Sequence, residues 1–177
     1  MKWAYSIIYY LFSSIWAYSI LTKTVYLPSW MGGLGDETTS FISRITLTHA
    51  VLQMKVFYLV QFGKHFSRFF GHVFIRPEGN FFEYALHHSL SVFLIAFSYL
   101  SNYWEVGLMV LLLHDYSDFA LIMARLYRDY RNMSKKVLDG IYVHAFISWV
   151  GCRIVMFIYA NIYPSLKMIW EGLPNLR

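Results

Sequence analysis

Between Lys2 and Lys23 run twenty residues, Trp3–Thr22, without a single charged side chain. A helix at the surface of a water-soluble domain keeps a polar face, and strands are rarely longer than ~10 residues. A bilayer core about 30 Å thick needs roughly 20 helical residues to cross it. The stretch therefore reads as a membrane span. A cleaved leader fits less well, because the apolar run is long and no clean small-residue cleavage site follows it. The loop that follows carries Pro28 and the cluster Gly32-Gly33-x-Gly35. No Lys-Ser/Thr pair follows the glycines, so this is breaker chemistry and not a phosphate cradle.

Four further stretches read as spans. The second covers about Ile45–Phe62 and contains His49, Gln53 and Lys55. The third, Tyr84–Trp104, is uncharged between Glu83 and Glu105. The fourth, about Val106–Leu126, contains His114, Asp115 and Asp118, and the fifth, about Ile141–Pro164, contains Arg153. Residues Lys64–Arg76 are too charged and too few to cross, and an interfacial amphipathic helix is expected there. Composition agrees with this division. Hydrophobic residues are 58% and charged residues 14% of the chain, against about 45–50% and about 25% in soluble domains. That excludes an ordinary soluble enzyme and a disordered chain. The expected fold is a single all-α integral membrane domain over residues 1–177, with about five transmembrane helices.

Five spans put alternate loops on opposite sides. The N-terminus and the loops near 64–83 and 125–140 hold nine Lys and Arg, and the other loops with the C-terminus hold four. The positive-inside rule places the N-terminus in the cytosol, or in the matrix of a mitochondrion. The net charge of +5 is thus used at the membrane surface, and no nucleic-acid partner is expected. The basic run Arg125–Lys136 suits anionic headgroups. Trp30, Trp104 and Trp170 read as interface anchors. Cys152 is the one cysteine, which rules out a disulfide framework and any multi-cysteine metal site.

Ionisable groups inside a bilayer cost several kcal/mol and mark function by default. His87 and His88 open the third span, and His114, Asp115 and Asp118 lie along the fourth. His114 and Asp118 are four residues apart, and Asp115 and Asp118 three, so both pairs are neighbours on a helix. Antiparallel neighbouring spans would let these groups converge. Such a set can act in general-base or nucleophilic catalysis, with the carboxylates orienting an imidazole. It can also bind iron or zinc, or simply bind two helices together as a buried polar network. Lys55 reads either as a snorkelling side chain or as a partner for a headgroup or carboxylate. His49, His65, His72 and His144 read as structural.

The spacing is more specific than the residue types. His87-His88, thirteen residues, Asn102, eleven residues, His114-Asp115, two residues and Asp118 resemble the central motif of the TLC domain of ceramide synthases, the longevity-assurance family. Leu94, Ile95, Phe97, Ser98, Gly107, Ser117, Leu121 and Ala124 match the same pattern, and Arg153 resembles the arginine of the family's next helix. The resemblance implies a helical barrel open to the membrane, holding an acyl-CoA and a sphingoid base. It implies His87 or His88 as nucleophile or base, with His114, Asp115 and Asp118 orienting and stabilising and Asn102 and Arg153 in support. It requires no metal and no cofactor beyond acyl-CoA as co-substrate.

The chain departs from that pattern in three places. The family's Arg two residues before Gly107 is Glu105, the Glu of its Leu-Glu-x-Ala-Lys run is Ile122, and its Lys is Arg125. The family also has a further apolar helix beyond the one carrying the arginine. A truncated barrel is therefore expected, serving as a non-catalytic structural or lipid-binding subunit. Its partners would be membrane lipids and other membrane-protein subunits, in the mitochondrial inner membrane or the endoplasmic reticulum. The alternative is an active sphingoid-base N-acyltransferase.

Overall fold

The computed structural model of the chain describes residues 2–24, 26–27, 29–34, 52–75, 80–129 and 134–156, with isolated positions between 158 and 170. The described residues form helices and turns and no strand. Five α-helices follow in order: α1 Lys2–Leu21, α2 Leu52–Phe70, α3 Phe81–Leu100, α4 Trp104–Arg128 and α5 Lys135–Val150. A 3-10 turn lies at Ser29–Met31, and π turns extend α2 over Gly71–Ile75 and α5 over Gly151–Met156. Among the described residues three helices are long and apolar enough to cross a membrane: Ala4–Leu21, Trp104–Arg128 and Lys135–Met156. His49 and the start of the expected second span lie outside the described residues.

The chain divides into two compact units, one of residues 1–45 with 109–177 and one of residues 46–108. In the second unit α2 packs antiparallel on α3, with Tyr58 against Ser98 and Tyr99 at one end and His72 against Phe81 and Tyr84 at the other. Of the stretch expected as a separate interfacial helix, residues 64–75 instead continue α2. Gly63 is its weakest helix former, and a single glycine lowers helix stability without ending the helix.

The link between α3 and α4 is Ser101–Tyr103, close to the loop expected near 102–105, and Trp104, expected to end the third span, opens α4 instead. Asn102 takes the left-handed conformation, φ 59°, which Asn tolerates better than most side chains. Its N–H reaches Tyr99 O, and the N–H of Tyr103 donates to Ser98 O at 2.9 Å. These two bonds satisfy carbonyls that the end of α3 would otherwise leave open. Trp104 Nε1 donates to Asn102 Oδ1 at 3.1 Å. Glu105 falls in the first turn of α4, where its charge opposes the positive end of the helix dipole.

Tyr58 locks this corner. Its hydroxyl donates to Trp104 O at 2.8 Å and shares a 2.7 Å hydrogen bond with Ser98 Oγ. Gly107 lies against the same hydroxyls: a Cβ there would come within 2.1 Å of both Ser98 Oγ and Tyr58 OH. Gly107→Ala is therefore expected to cost about 1–3 kcal/mol through overpacking and broken hydrogen bonds. Thermal unfolding in detergent should show a lower Tm, partly restored by Ser98→Ala in the same chain. An unchanged Tm would refute this packing.

In the first unit α1 buries Tyr10, Ser13, Ser14, Ala17, Ile20 and Leu21, the i, i+3, i+4, i+7 stripe of a helix. Tyr5, Ile8, Phe12 and Ile15 face outward. Ala120 and Ala124 of α4 cluster with Ala145 of α5, with Leu121 and Ile141 packed alongside. Small residues let helix backbones approach closely, the usual device where lipid removes the hydrophobic drive between helices. The Ser134 hydroxyl caps α5 by accepting from the N–H of Val137. Val143, Phe146 and Ile147 of α5 are exposed, which suits contact with hydrocarbon.

Candidate functional site

In the second unit His87 and His88 are adjacent in α3, with ring centroids 5.4 Å apart. Tyr84, one turn earlier, stacks on His88 at 6.3 Å. His72, from the π turn after α2, lies 6.2 Å from the His88 ring and packs on Phe81 and Tyr84. The Nδ1 atoms of His88 and His65 are buried and have no hydrogen-bond partner among the described residues. His87 is exposed. Asn102 belongs to the helix corner described above, so its place in the motif is accounted for by chain direction.

The groups of α4 find their partners in the first unit. His114 Nδ1 donates to Val110 O at 2.9 Å, which in the neutral ring leaves the lone pair on Nε2. Asp115 is buried and accepts from the hydroxyl of Ser13 on α1. Asp118 pairs with Nη2 of Arg153, whose Nε donates to Ser117 Oγ at 3.0 Å. Ser117 in turn donates to His114 O at 2.9 Å. The Arg153 guanidinium also lies 5.8 Å from the Trp149 ring centroid, a cation–π distance. One arginine thus organises two positions of α4, as the π turn at the end of α5 presents it.

Lys55, expected either to snorkel or to meet a headgroup or carboxylate, lies 5.9 Å from the Trp104 ring centroid, a cation–π distance. His144 is exposed on α5. Ser13, Tyr58, His65 and His72 are the additions that sequence reading missed. The paired Ser13-Ser14 inside an apolar span is the one signal that could have raised the first of them. Among the described residues no three His, Cys, Asp or Glu side chains are grouped to hold a metal ion.

The model of the family described as the TLC domain matches residues 1–176. The chain belongs to the TLC domain family. Its curated relatives include ceramide synthase hyl-1 of Caenorhabditis elegans, 31% identical over 110 residues, which are 62% of this chain and 30% of that protein. Ceramide synthase 4 of Mus musculus is 30% identical over 127 residues, 67% of this chain and 31% of the relative. Ceramide synthase 1 of Mus musculus is 36% identical over 103 residues, 51% and 28% of the two chains. This TLC domain therefore matches about three tenths of the length of these relatives. No solved structure matches it. It is a ceramide synthase-like membrane protein.

One property of the TLC domain outside its spans can be tested directly. Burial, followed by the charges of Lys64 and Arg68 and the nearby His88 and His87, lowers the His65 pKa from 6.5 to about 3. Below pH ~6.5 the unfolded chain takes up a proton that the folded chain refuses. Stability is then full above that pH and falls progressively as the pH drops toward 3. The loss should reach about 1–2 kcal/mol by pH 5. His65→Leu should flatten the pH dependence of unfolding over this window. The same slope in both proteins would contradict the assignment.

Proposed function

We propose that this TLC domain is an N-acyltransferase that moves an acyl group from acyl-CoA to the amine of a sphingoid base. The observation that carries the reading is the His87–His88 pair, with a buried His88 Nδ1 that has no hydrogen-bond partner among the described residues. A buried polar atom without a partner calls for one, and here a reacting substrate atom fits. The carbonyl–sulfur bond of the thioester breaks and a carbonyl–nitrogen bond forms. The neutral imidazole attacks the thioester carbonyl or takes the amine proton, which leaves on the departing sulfur. Nothing is oxidised or reduced. Asp115 and Asp118, held by Ser13 and Arg153, place fixed negative charge along α4. The relatives named as ceramide synthases support the substrate class.

The same proposal takes all five apolar stretches as spans. The second span would end near Phe62, as the sequence places it, and the 20 residues of α3 would extend about 30 Å as a helix. The N-terminus would lie on the cytosolic, positive side of the endoplasmic reticulum membrane. The test is the purified chain in phospholipid nanodiscs with acyl-CoA and sphinganine, read by mass spectrometry of the lipid product. Ceramide formed by the wild type and lost with His88→Ala supports the reading, and no product above the lipid blank sinks it. A second reading is favoured by Glu105 and Ile122, which stand where the family pattern has Arg and Glu. On it the domain is a non-catalytic, lipid-binding subunit of a larger membrane assembly, mitochondrial or reticular. It would co-purify with other membrane proteins and retain lipid without turning it over.

A further inference from the structure

His72 lies outside the motif, yet the fold presents it to the motif's second histidine. The sequence between His72 and His88 has no fixed pattern linking them, and the contact depends on a local change in helix type. After Phe70 the chain leaves the α-helix for the π turn Gly71–Ile75. Such turns bond to the fifth residue instead of the fourth and recur at functional positions. The turn buries the His72 ring against Phe81, Tyr84 and His88, at centroid distances of 5.8, 5.4 and 6.2 Å. Tyr84 also stacks on His88, so His88 is held from its own helix and from the neighbouring one. His87 contacts His88 from the same helix. His65, on α2, is close enough for its charge state to be coupled to His88 and His87. His88 therefore sits among aromatic and imidazole rings with one buried nitrogen left for a substrate.

We propose that His72 is a positioning residue for His88, with the π turn Gly71–Ile75 as the element that delivers it. This rests on the acyltransferase reading for its consequence, although the packing itself does not. The ring of His72 limits the orientations open to His88 and so sets where its nitrogen meets the thioester or the amine. Misplacing a reactive group by about 1 Å can cost up to ~10²-fold in rate. An arrangement effect of this kind falls on kcat with KM little changed. The positioning uses the face of the His72 ring packed on Phe81, Tyr84 and His88, so an aromatic ring of similar size should keep most of it.

The experiment compares the chain as wild type, His72→Ala and His72→Phe in nanodiscs by two readouts. The first is ceramide formation from acyl-CoA and sphinganine. His72→Ala should lower kcat about 10- to 100-fold with KM little changed, and His72→Phe should recover most of the loss. The second is the rate at which diethylpyrocarbonate carbethoxylates each histidine, followed by peptide mass spectrometry. In that reaction a neutral ring nitrogen attacks a carbonyl of the reagent, keeps the carbethoxy group, and releases ethanol and carbon dioxide. With His72→Ala the rate at His88 should rise several-fold, with His72→Phe it should return toward wild type, and the exposed His144 should not change. Equal His88 rates in wild type and His72→Ala overturn the proposal. So does a parallel rise at His144, which would mean general loosening. Wild type that makes no ceramide, while His88 responds to His72 as described, refutes the acyltransferase reading and leaves the positioning contact standing.

Discussion

His88→Ala is expected to reduce ceramide formation by about 10²–10⁴-fold, the range that a positioned acid–base or nucleophilic imidazole supplies. The loss should fall on kcat, because the imidazole acts at the reacting carbonyl or amine and contributes little to holding the lipid chains. His87→Ala should lose less. Its ring is exposed, whereas His88 is packed by Tyr84 and His72 and keeps a buried Nδ1 without a partner among the described residues. Measured initial rates at saturating acyl-CoA, with each variant's thermal unfolding recorded alongside, check both statements. Full activity in His88→Ala would remove the pair from the chemistry. A larger loss in His87→Ala would exchange the two roles.

Arg153→Ala should be the most destabilising single change at the polar positions. It leaves the Asp118 carboxylate unpaired and removes the donor to Ser117 Oγ and the cation over Trp149. Breaking a fully buried ion pair costs about 3–5 kcal/mol. The Asp118 side chain stays 33% exposed, so about 2–4 kcal/mol is the expected loss here. Arg153→Lys should recover only part of it, because a point charge cannot bond Ser117 and Asp118 together as a planar guanidinium does. The double change Arg153→Ala with Asp118→Asn should be more stable than Arg153→Ala alone, since it removes the stranded charge. Denaturation in mixed micelles gives all four values. Equal stability of Arg153→Ala and wild type would show that the pair carries no load.

The sequence made the helical class plain, and it made the polar motif plain, because both depend on short-range order. An uncharged stretch of twenty residues admits few folds, and the spacing from His87 to Asp118 is fixed along two helices. What lay beyond reach was decided by backbone geometry or by distance along the chain. The third span is expected to run to Trp104, up to the charge of Glu105. Asn102 ends it sooner, in a left-handed turn that hydropathy does not register. The helix expected from residue 64 merges into α2 because nothing between Gly63 and Phe70 stops it. Ser13 and Asp115 are 102 positions apart and could be joined only by the fold. Arg153 and Asp118 are 35 positions apart and are likewise paired by the fold. His72 was invisible because a π turn leaves no mark in a 3.6-residue period.

The two π turns make helical phase a quantity that can be gained or lost by one residue. Each hydrogen-bonded loop in Gly71–Ile75 and Gly151–Met156 holds one residue more than an α turn does. Deleting one residue from either segment would leave hydropathy, composition and span length almost untouched. The side chains on one side of the deletion would turn about 100° relative to those on the other. His72 would swing off His88, or Arg153 off Asp118, with no change in any property averaged along the chain. Two TLC domains with the same motif can therefore differ in whether it is supported, and the difference would be written as a single-residue gap in an apolar stretch.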